Sequence, residues 1–335
     1  MNNPSHSYDL LTNLSSLDFK DKSILLIGSG YMGEHYANAL SSMGITNVTI
    51  FSRTAEKAKQ ISQKYGFEFY FGDLEDFLKG KSEADLTIIA TSIASLLPTA
   101  KKAMEYGQKN ILIEKPGSLY YQELLKLNDI VHDQKLRIGY NRLVYPNLHK
   151  LKKLVAVEGG ITSCNFNFTE FVHTIDFQKE EKLAYERWGI SNSLHVISMV
   201  LDLIGMPKEY LFYQSGKLDW HPSGSVFVGS GLSEFEIPFS YHADWGSSGR
   251  WGIEIMTNQS AYRLISLEEL WICPKKTIQW QKIDFDQSYP NVKQGLAEQI
   301  AIMLDENIEE QIPLVTLNKA AKFNQIAEKI CGYEQ

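Results

Sequence analysis

The stretch Ser23-Ile24-Leu25-Leu26-Ile27-Gly28-Ser29-Gly30-Tyr31-Met32-Gly33 runs from four consecutive aliphatic residues straight into three glycines spaced G-x-G-x-x-G. A short apolar run of this kind reads as a buried strand, and Tyr31 to Leu40 reads as the start of a helix. A glycine triplet alone is also what a plain tight turn needs. Between a strand and a helix it has a more specific use. The first glycine permits the turn, the second lets a pyrophosphate approach the backbone, and the third lets helix and strand pack closely, with the phosphate charge facing the helix N-terminus. Gly28, Ser29, Gly30, Tyr31, Met32 and Gly33 are therefore the expected cradle of a dinucleotide.

From Lys22 to about Arg142 the chain alternates short β-branched or leucine-rich runs with amphipathic stretches. That is the pattern of βαβ units around a parallel sheet. The expected strands are SILLIG, NVTIFS, FEFYF, LTIIA and ILIE, and the expected helices are Met32 to Met43, Ala55 to Tyr65 and Ala100 to Tyr106. Gly44, Gly66 and Gly107 close these helices. Residues 21–143 thus read as an α/β Rossmann domain with a doubly wound parallel sheet, and residues 1–20 as an N-terminal extension.

After Pro146 the texture changes. From Gly160 onward, long alternating runs such as ITSCNFNFTEF and VFVGSGLSEFEIPFSYH predict antiparallel strands with one wet face, and further runs lie at Trp251 to Met256, Ala261 to Ile265 and Thr277 to Ile283. Ser193 to Ile204, Val292 to Leu304 and Leu317 to Ile330 read as helices. Residues 144–335 are expected to form a C-terminal α+β domain with a large, mostly antiparallel open sheet, devoted to substrate and oligomerisation.

A chain of 335 residues with 44% hydrophobic and 22% charged residues suits two ordinary globular domains. Its formal net charge of −7 lacks the basic footprint of a nucleic-acid binder. Cys164, Cys273 and Cys331 sit far apart without a CxxC pair, so neither a disulfide framework nor a metal site is expected. No run approaches the roughly 18 apolar residues needed to cross a bilayer, and residues 1–20 lack the apolar core of a secretory signal. The expected setting is the cytoplasm, with no membrane partner.

The second strand ends at Ser52-Arg53-Thr54, where an NAD enzyme would often place an acid to hold the ribose hydroxyls. A guanidinium flanked by two hydroxyls suits a 2′-phosphate instead. NADP(H) is the preferred cofactor on this reading; NAD(H) remains open if Arg53 is only a solvated loop residue.

Further landmarks follow in order: Ala90-Thr91-Ser92, Glu114-Lys115-Pro116 and Tyr140-Asn141-Arg142. Together with the glycine loop they resemble the glucose-fructose oxidoreductase, inositol dehydrogenase and rhizopine-catabolism family, written Gfo/Idh/MocA. The resemblance covers nearly the whole chain from about Lys22. It implies NAD(P)-linked hydride transfer on a secondary alcohol or ketone of a sugar, nucleotide sugar or cyclitol-like substrate. It also implies that Lys115 lies near the nicotinamide and the substrate as a catalytic residue, with Thr91, Ser92, Glu114 and Pro116 on the cofactor side and a possible cis peptide before Pro116.

The same resemblance implies a catalytic histidine in the second domain, matched by His195, with an acid four residues before it. This chain has Ser191 at that position and Ser193 where a glycine is usual, and Thr91-Ser92-Ile93-Ala94-Ser95-Leu96 lacks the histidine usual after the fourth strand. Three explanations stay open: Ser191 or Asn192 orients the histidine or a substrate hydroxyl, the chemistry rests mainly on Lys115, or the protein binds cofactor without turnover. Tyr140, Asn141 and Arg142 match a segment that commonly faces the substrate, and Trp188, just ahead of the His195 helix, joins them as a candidate substrate residue; most of the other tryptophans read as sheet packing. A large exposed sheet face favours a homodimer or homotetramer. Two alternatives are kept. One is a cofactor-binding regulator or scaffold. The other is a reductase like glutamyl-tRNA reductase or shikimate dehydrogenase, whose Rossmann halves resemble Leu17-Asp18-Phe19-Lys20-Asp21-Lys22 and Ser52-Arg53-Thr54, although no catalytic-cysteine context is visible.

Overall fold

A computed structural model describes residues 4–333. The first three residues of the expected N-terminal extension, and residues 334–335 at the end of the expected second domain, lie outside the described residues. The chain forms two compact units. One comprises residues 9–144 and 287–321; the other comprises residues 145–286, a short N-terminal piece ending at Tyr8, and the chain from Lys322 on.

The first unit is built on six strands: β1 (Ile24–Ile27), β2 (Val48–Ser52), β3 (Glu68–Phe71), β4 (Leu86–Ile89), β5 (Asn110–Glu114) and β6 (Lys135–Gly139). All pairs are parallel and the order is β3-β2-β1-β4-β5-β6. This is the doubly wound Rossmann order, whose direction reverses between β1 and β4 at the point where such sheets bind ligands. β1 and β4 are buried at every position, as central strands covered on both faces require.

Sequence periodicity misses β6 because Lys135 and Arg137 interrupt it. These cations alternate with buried Leu136 and Ile138 and pair with Glu309 at 2.9 and 2.7 Å. The helix expected from Ala100 begins earlier, at Ile93, and carries Pro98 inside it. Proline there forfeits one intrahelical bond, but buried Leu96, Leu97 and Ala100 hold the helix down.

Residues 287–321, which the sequence reading grouped with the second half, lie in the first unit. Leu296, Ile300 and Met303 of the helix Leu296–Leu304 join Leu26, Leu40 and Ile50 in one apolar cluster. Leu11, Leu14 and Phe19 of the expected extension join the same cluster. Each large aliphatic buried this way contributes roughly 1.5–3 kcal/mol, which outweighs any tendency of the two segments to stand apart.

The second unit holds an eight-stranded sheet: β7 (Ser163–Phe168), β8 (Pro207–Ser215), β9 (Val226–Ser233), β10 (Pro238–Asp244), β11 (Trp251–Met256), β12 (Ser260–Ile265), β13 (Glu269–Pro274) and β14 (Gln281–Ile283). Its order is β14-β13-β12-β11-β7-β10-β9-β8, antiparallel except where β7 meets β10. The mixed α/β architecture expected from the sequence is present. β8 and β13 were not picked out. β8 is exposed along most of its length and begins at a proline, so it lacks clean alternation, and β13 is a six-residue strand that itself ends in a proline. The helix Leu194–Ile204 packs on β7 and β11.

Candidate active site

Each of the three glycines in the loop meets different surroundings. At Gly28, φ is +118°, and a Cβ would stand 2.3 Å from the carbonyl oxygen of Ala90 at the end of β4. At Gly33 a Cβ would stand 2.1 Å from the Gly28 carbonyl oxygen, so only glycine lets the helix Tyr31–Ser42 sit this close to the loop. At Gly30, which caps that helix, a Cβ would meet nothing within 4 Å. Two glycines are thus required by the protein's own backbone, while the middle one borders open space at a helix N-terminus. A bound pyrophosphate needs that arrangement.

Beside the loop, the Ser29 and Ser52 hydroxyls lie 2.8 Å apart, which ties the glycine turn to the end of β2. Arg53 is exposed next to them, and Thr54 precedes the helix Ala55–Tyr65. Ser92 caps the helix Ile93–Glu105, and its hydroxyl reaches Ser95 at 3.1 Å.

Glu114 ends β5 and is only 6% exposed. The Tyr36 hydroxyl donates to its Oε1 at 2.7 Å. Because the single hydroxyl hydrogen of Tyr36 is used there, Gln299 meets Tyr36 with its amide N–H at 3.1 Å. That turns the Gln299 oxygen onto the backbone N–H groups of Tyr140 (3.2 Å) and Asn141 (2.9 Å). Burial pushes the Glu114 carboxyl up to about 7, against the opposing pull of the Tyr36 hydrogen bond and of the Lys115 and Lys293 charges. The peptide joining Lys115 to Pro116 is cis.

Of the next three candidates, Tyr140 is 2% exposed, and burial raises its phenol above the ordinary range. Asn141 is also buried and donates to the Gln294 carbonyl at 3.0 Å, whereas Arg142 is half-buried.

In the second unit, His195 follows a π-helical turn, Gly189–Ser193, that leads into the helix Leu194–Ile204. Such wide turns in a helix are common at functional sites. A relay holds this one. The Gly189 N–H donates to the Tyr333 hydroxyl at 2.7 Å, and Tyr333 donates to His221 Nε2 at 2.7 Å. His221 Nδ1 lies 2.6 Å from the Gly224 carbonyl, which assigns its proton to that nitrogen. Burial lowers His221 to about 4, so it stays neutral.

Ser191 donates to the Ala184 carbonyl at 2.7 Å. Asn192 and Ser193 instead donate to Glu170, at 2.9 and 2.5 Å. Burial pushes the Glu170 carboxyl up to about 7, offset by the hydrogen bonds from Ser193 and Asn192 and by the neighbouring Trp188 and Trp251 indoles. The Trp251 ring lies 5.9 Å from the His195 imidazole, and Trp188 stacks on Tyr185 at 5.6 Å. Glu170 was missed by the sequence reading, which saw it only as part of an alternating run. Trp188 was flagged, but Trp251 was grouped with sheet packing. Among the described residues no cluster of His, Cys, Asp or Glu is arranged to hold a metal ion, and no helix is long and apolar enough to cross a membrane.

With this geometry in place, comparison with known proteins gives two kinds of likeness. A family model for shikimate / quinate 5-dehydrogenase matches residues 10–114. The glutamyl-tRNA reductase of Saccharolobus islandicus is 30% identical over 145 residues, 38% of this chain, and that of Caldivirga maquilingensis is 28% identical over 153 residues, 41% of the chain. The chain spans about a third of the length of these curated relatives, 32% and 37%.

Solved structures match almost end to end. UDP-N-acetylglucosamine 3-dehydrogenase from Acidithiobacillus ferrooxidans has a TM-score of 0.70 at 17% identity, covering 93% of this chain and 97% of its own. A levoglucosan dehydrogenase in complex with NADH and L-sorbose has a TM-score of 0.72 at 15% identity, covering 93% and 96%. An oxidoreductase from Thermotoga maritima has a TM-score of 0.73 at 17% identity, covering 92% and 95%. The fold implied by the Gfo/Idh/MocA resemblance is the fold of this chain.

Proposed function

We propose that this chain is a nicotinamide-dependent oxidoreductase that transfers a hydride to or from a secondary alcohol or ketone of a sugar, nucleotide sugar or cyclitol-like substrate. The observation that carries this reading is the glycine loop, where Gly28 and Gly33 are closed by backbone contacts while Gly30 stays open at a helix N-terminus. When bound, the dinucleotide supplies or accepts the hydride. Lys115 orients the substrate oxygen and favours its negative charge as the proton leaves. His195 takes that proton during oxidation and returns it during reduction. Arg53, with the hydroxyls of Ser52 and Thr54, receives a 2′-phosphate, so NADP(H) is preferred over NAD(H). Arg142, Asn192 and Trp188, the less buried substrate candidates, contact the substrate, and Tyr140, Asn141 and Ser191 shape the walls behind them. The protein works in the cytoplasm as a homodimer or homotetramer, joined through the exposed sheet face on which Leu211 and Tyr213 lie.

A glutamyl-tRNA-reductase-like activity is favoured by the sequence likeness of the N-terminal part. It is the weaker reading here, because thioester chemistry asks for an accessible thiolate. Cys164 and Cys331 are buried, and burial raises both thiols, Cys331 to about 12, while the half-buried Cys273 lies in β13 of the second unit, and residues 10–114, where the family model matches, contain no cysteine.

The deciding experiment is a paired fluorescence titration of the protein with NADPH and NADH, repeated with nucleotide sugars present. Tighter NADPH binding and a sugar-dependent change are expected; failure of both dinucleotides to bind would overturn the proposal.

A further inference from the structure

We propose that Glu170 is a positioning residue for His195, whose carboxylate takes hydrogen bonds from Asn192 and Ser193 and so holds the turn that presents the imidazole. The role given to His195 rests on the function proposed above. The assembly of groups around Glu170 does not.

Glu170 lies two residues past β7 and is 5% exposed. A carboxylate offers about four acceptor positions and no donor. Two side chains donate to it here, Ser193 and Asn192 of the π-helical turn, two and three residues before His195. The indoles of Trp188, which opens that turn, and of Trp251, at the first position of β11, lie close enough to favour its charged form. None of these four groups is a cation, and the Trp251 ring packs against the imidazole.

A polar cluster serving stability alone would more simply use a neutral acceptor. Burying a carboxylate without a partner cation is costly, and the ionised form persists only because the donors converge on it. If the carboxyl takes a proton, the two charge-assisted hydrogen bonds from Asn192 and Ser193 become weaker neutral ones and the new O–H must turn toward an acceptor. The order of the turn is therefore coupled to the charge of Glu170.

Of the other titratable groups at this place, Cys331, from the C-terminal helix, is pushed up to about 12 by burial, Tyr333 is raised well above its ordinary range, and Glu328, also raised by burial, is paired with Arg187; the imidazole packed on Trp251 is separated by its own variant.

The test compares wild type, Glu170→Gln and His195→Gln by tryptophan fluorescence across pH, and by turnover once a substrate is in hand. The Trp188 and Trp251 indoles lie beside Glu170, so wild type should show a fluorescence transition near pH 7. That transition should vanish in Glu170→Gln and persist in His195→Gln. Glu170→Gln should also lower kcat by roughly tenfold or more, in the range of lost acid–base positioning, and flatten the kcat–pH profile, while NAD(P)H affinity is unchanged.

Persistence of the transition in Glu170→Gln, or a wild-type kcat–pH profile in that variant, overturns the proposal. If Glu170→Gln does not fold, Glu170→Asp retains the charge on a shorter arm: a transition at displaced pH supports the proposal and its absence overturns it. Failure of wild type to bind any dinucleotide would sink the oxidoreductase reading, yet the fluorescence comparison would still decide whether Glu170 controls the turn.

Discussion

Glu114 in the first unit and Glu170 in the second are both buried carboxyls that burial pushes up to about 7, but they are restrained in different ways. Glu114 feels two cations, Lys115 and Lys293, and takes a hydrogen bond from Tyr36. Glu170 takes hydrogen bonds from an amide and a hydroxyl, with two indoles close by. Charge acts over distance and tolerates small displacements, whereas a neutral donor helps only while its hydrogen bond is made. The environment of Glu114 should therefore respond to removal of a charge, and that of Glu170 to loss of geometry.

The largest expected effect tests the cationic side. Lys115→Ala should lower kcat by about 10²–10⁴-fold, the usual span for a positioned catalytic group, while a fluorescence titration shows dinucleotide affinity retained. Unaltered turnover would remove Lys115 from the chemistry and revive the regulator or scaffold reading.

Next comes the pH dependence of stability. Both carboxyls are raised above the unfolded value of about 4.3, so the stability they contribute is complete below that pH and is lost as pH rises through about 7. Thermal unfolding should show Tm falling across this window in wild type, and Glu114→Gln and Glu170→Gln should each flatten the fall. A steeper fall in either variant would contradict the assigned burial.

The comparison is sharpened by Lys293→Met. Removing this cation should move the part of that fall due to Glu114 to higher pH and leave the Glu170-dependent tryptophan transition in place. A shift of both would show that the two carboxyls are not independently restrained.

The smallest effect concerns an exposed residue. Arg53→Ala should weaken NADPH binding by about tenfold, equivalent to roughly 1.4 kcal/mol, and leave NADH binding unchanged. Equal losses would end the phosphate-clamp assignment.

The contrast also explains what the sequence made legible. The glycine loop and Glu114-Lys115-Pro116 are contiguous, and each follows a strand whose aliphatic run is plain, so their placement could be read directly. The surroundings of Glu170 combine positions 170, 188, 192, 193 and 251, which only the pairing of β7 with β11 and the seating of the His195 helix on both strands bring together. No spacing rule announces such a cluster. The sixth parallel strand was hidden for a related reason: Lys135 and Arg137 break its apolar pattern, and their partner, Glu309, is remote in sequence. The π-helical turn was equally silent, since its hold on Tyr333 and His221 spans more than a hundred residues.

The return of residues 287–321 to the first unit bears on the order in which the protein is made. A nascent chain that has emerged from the ribosome through residue 144 has every strand of its parallel sheet, but Leu296, Ile300 and Met303, which complete the apolar cluster beside Leu40, have not yet been synthesised. The Tyr36–Glu114 pair likewise waits for Gln299. The half translated first is thus completed only after the intervening sheet of the second unit has been translated, and its unfilled apolar slot is a place for chaperone contact or misassembly in the meantime.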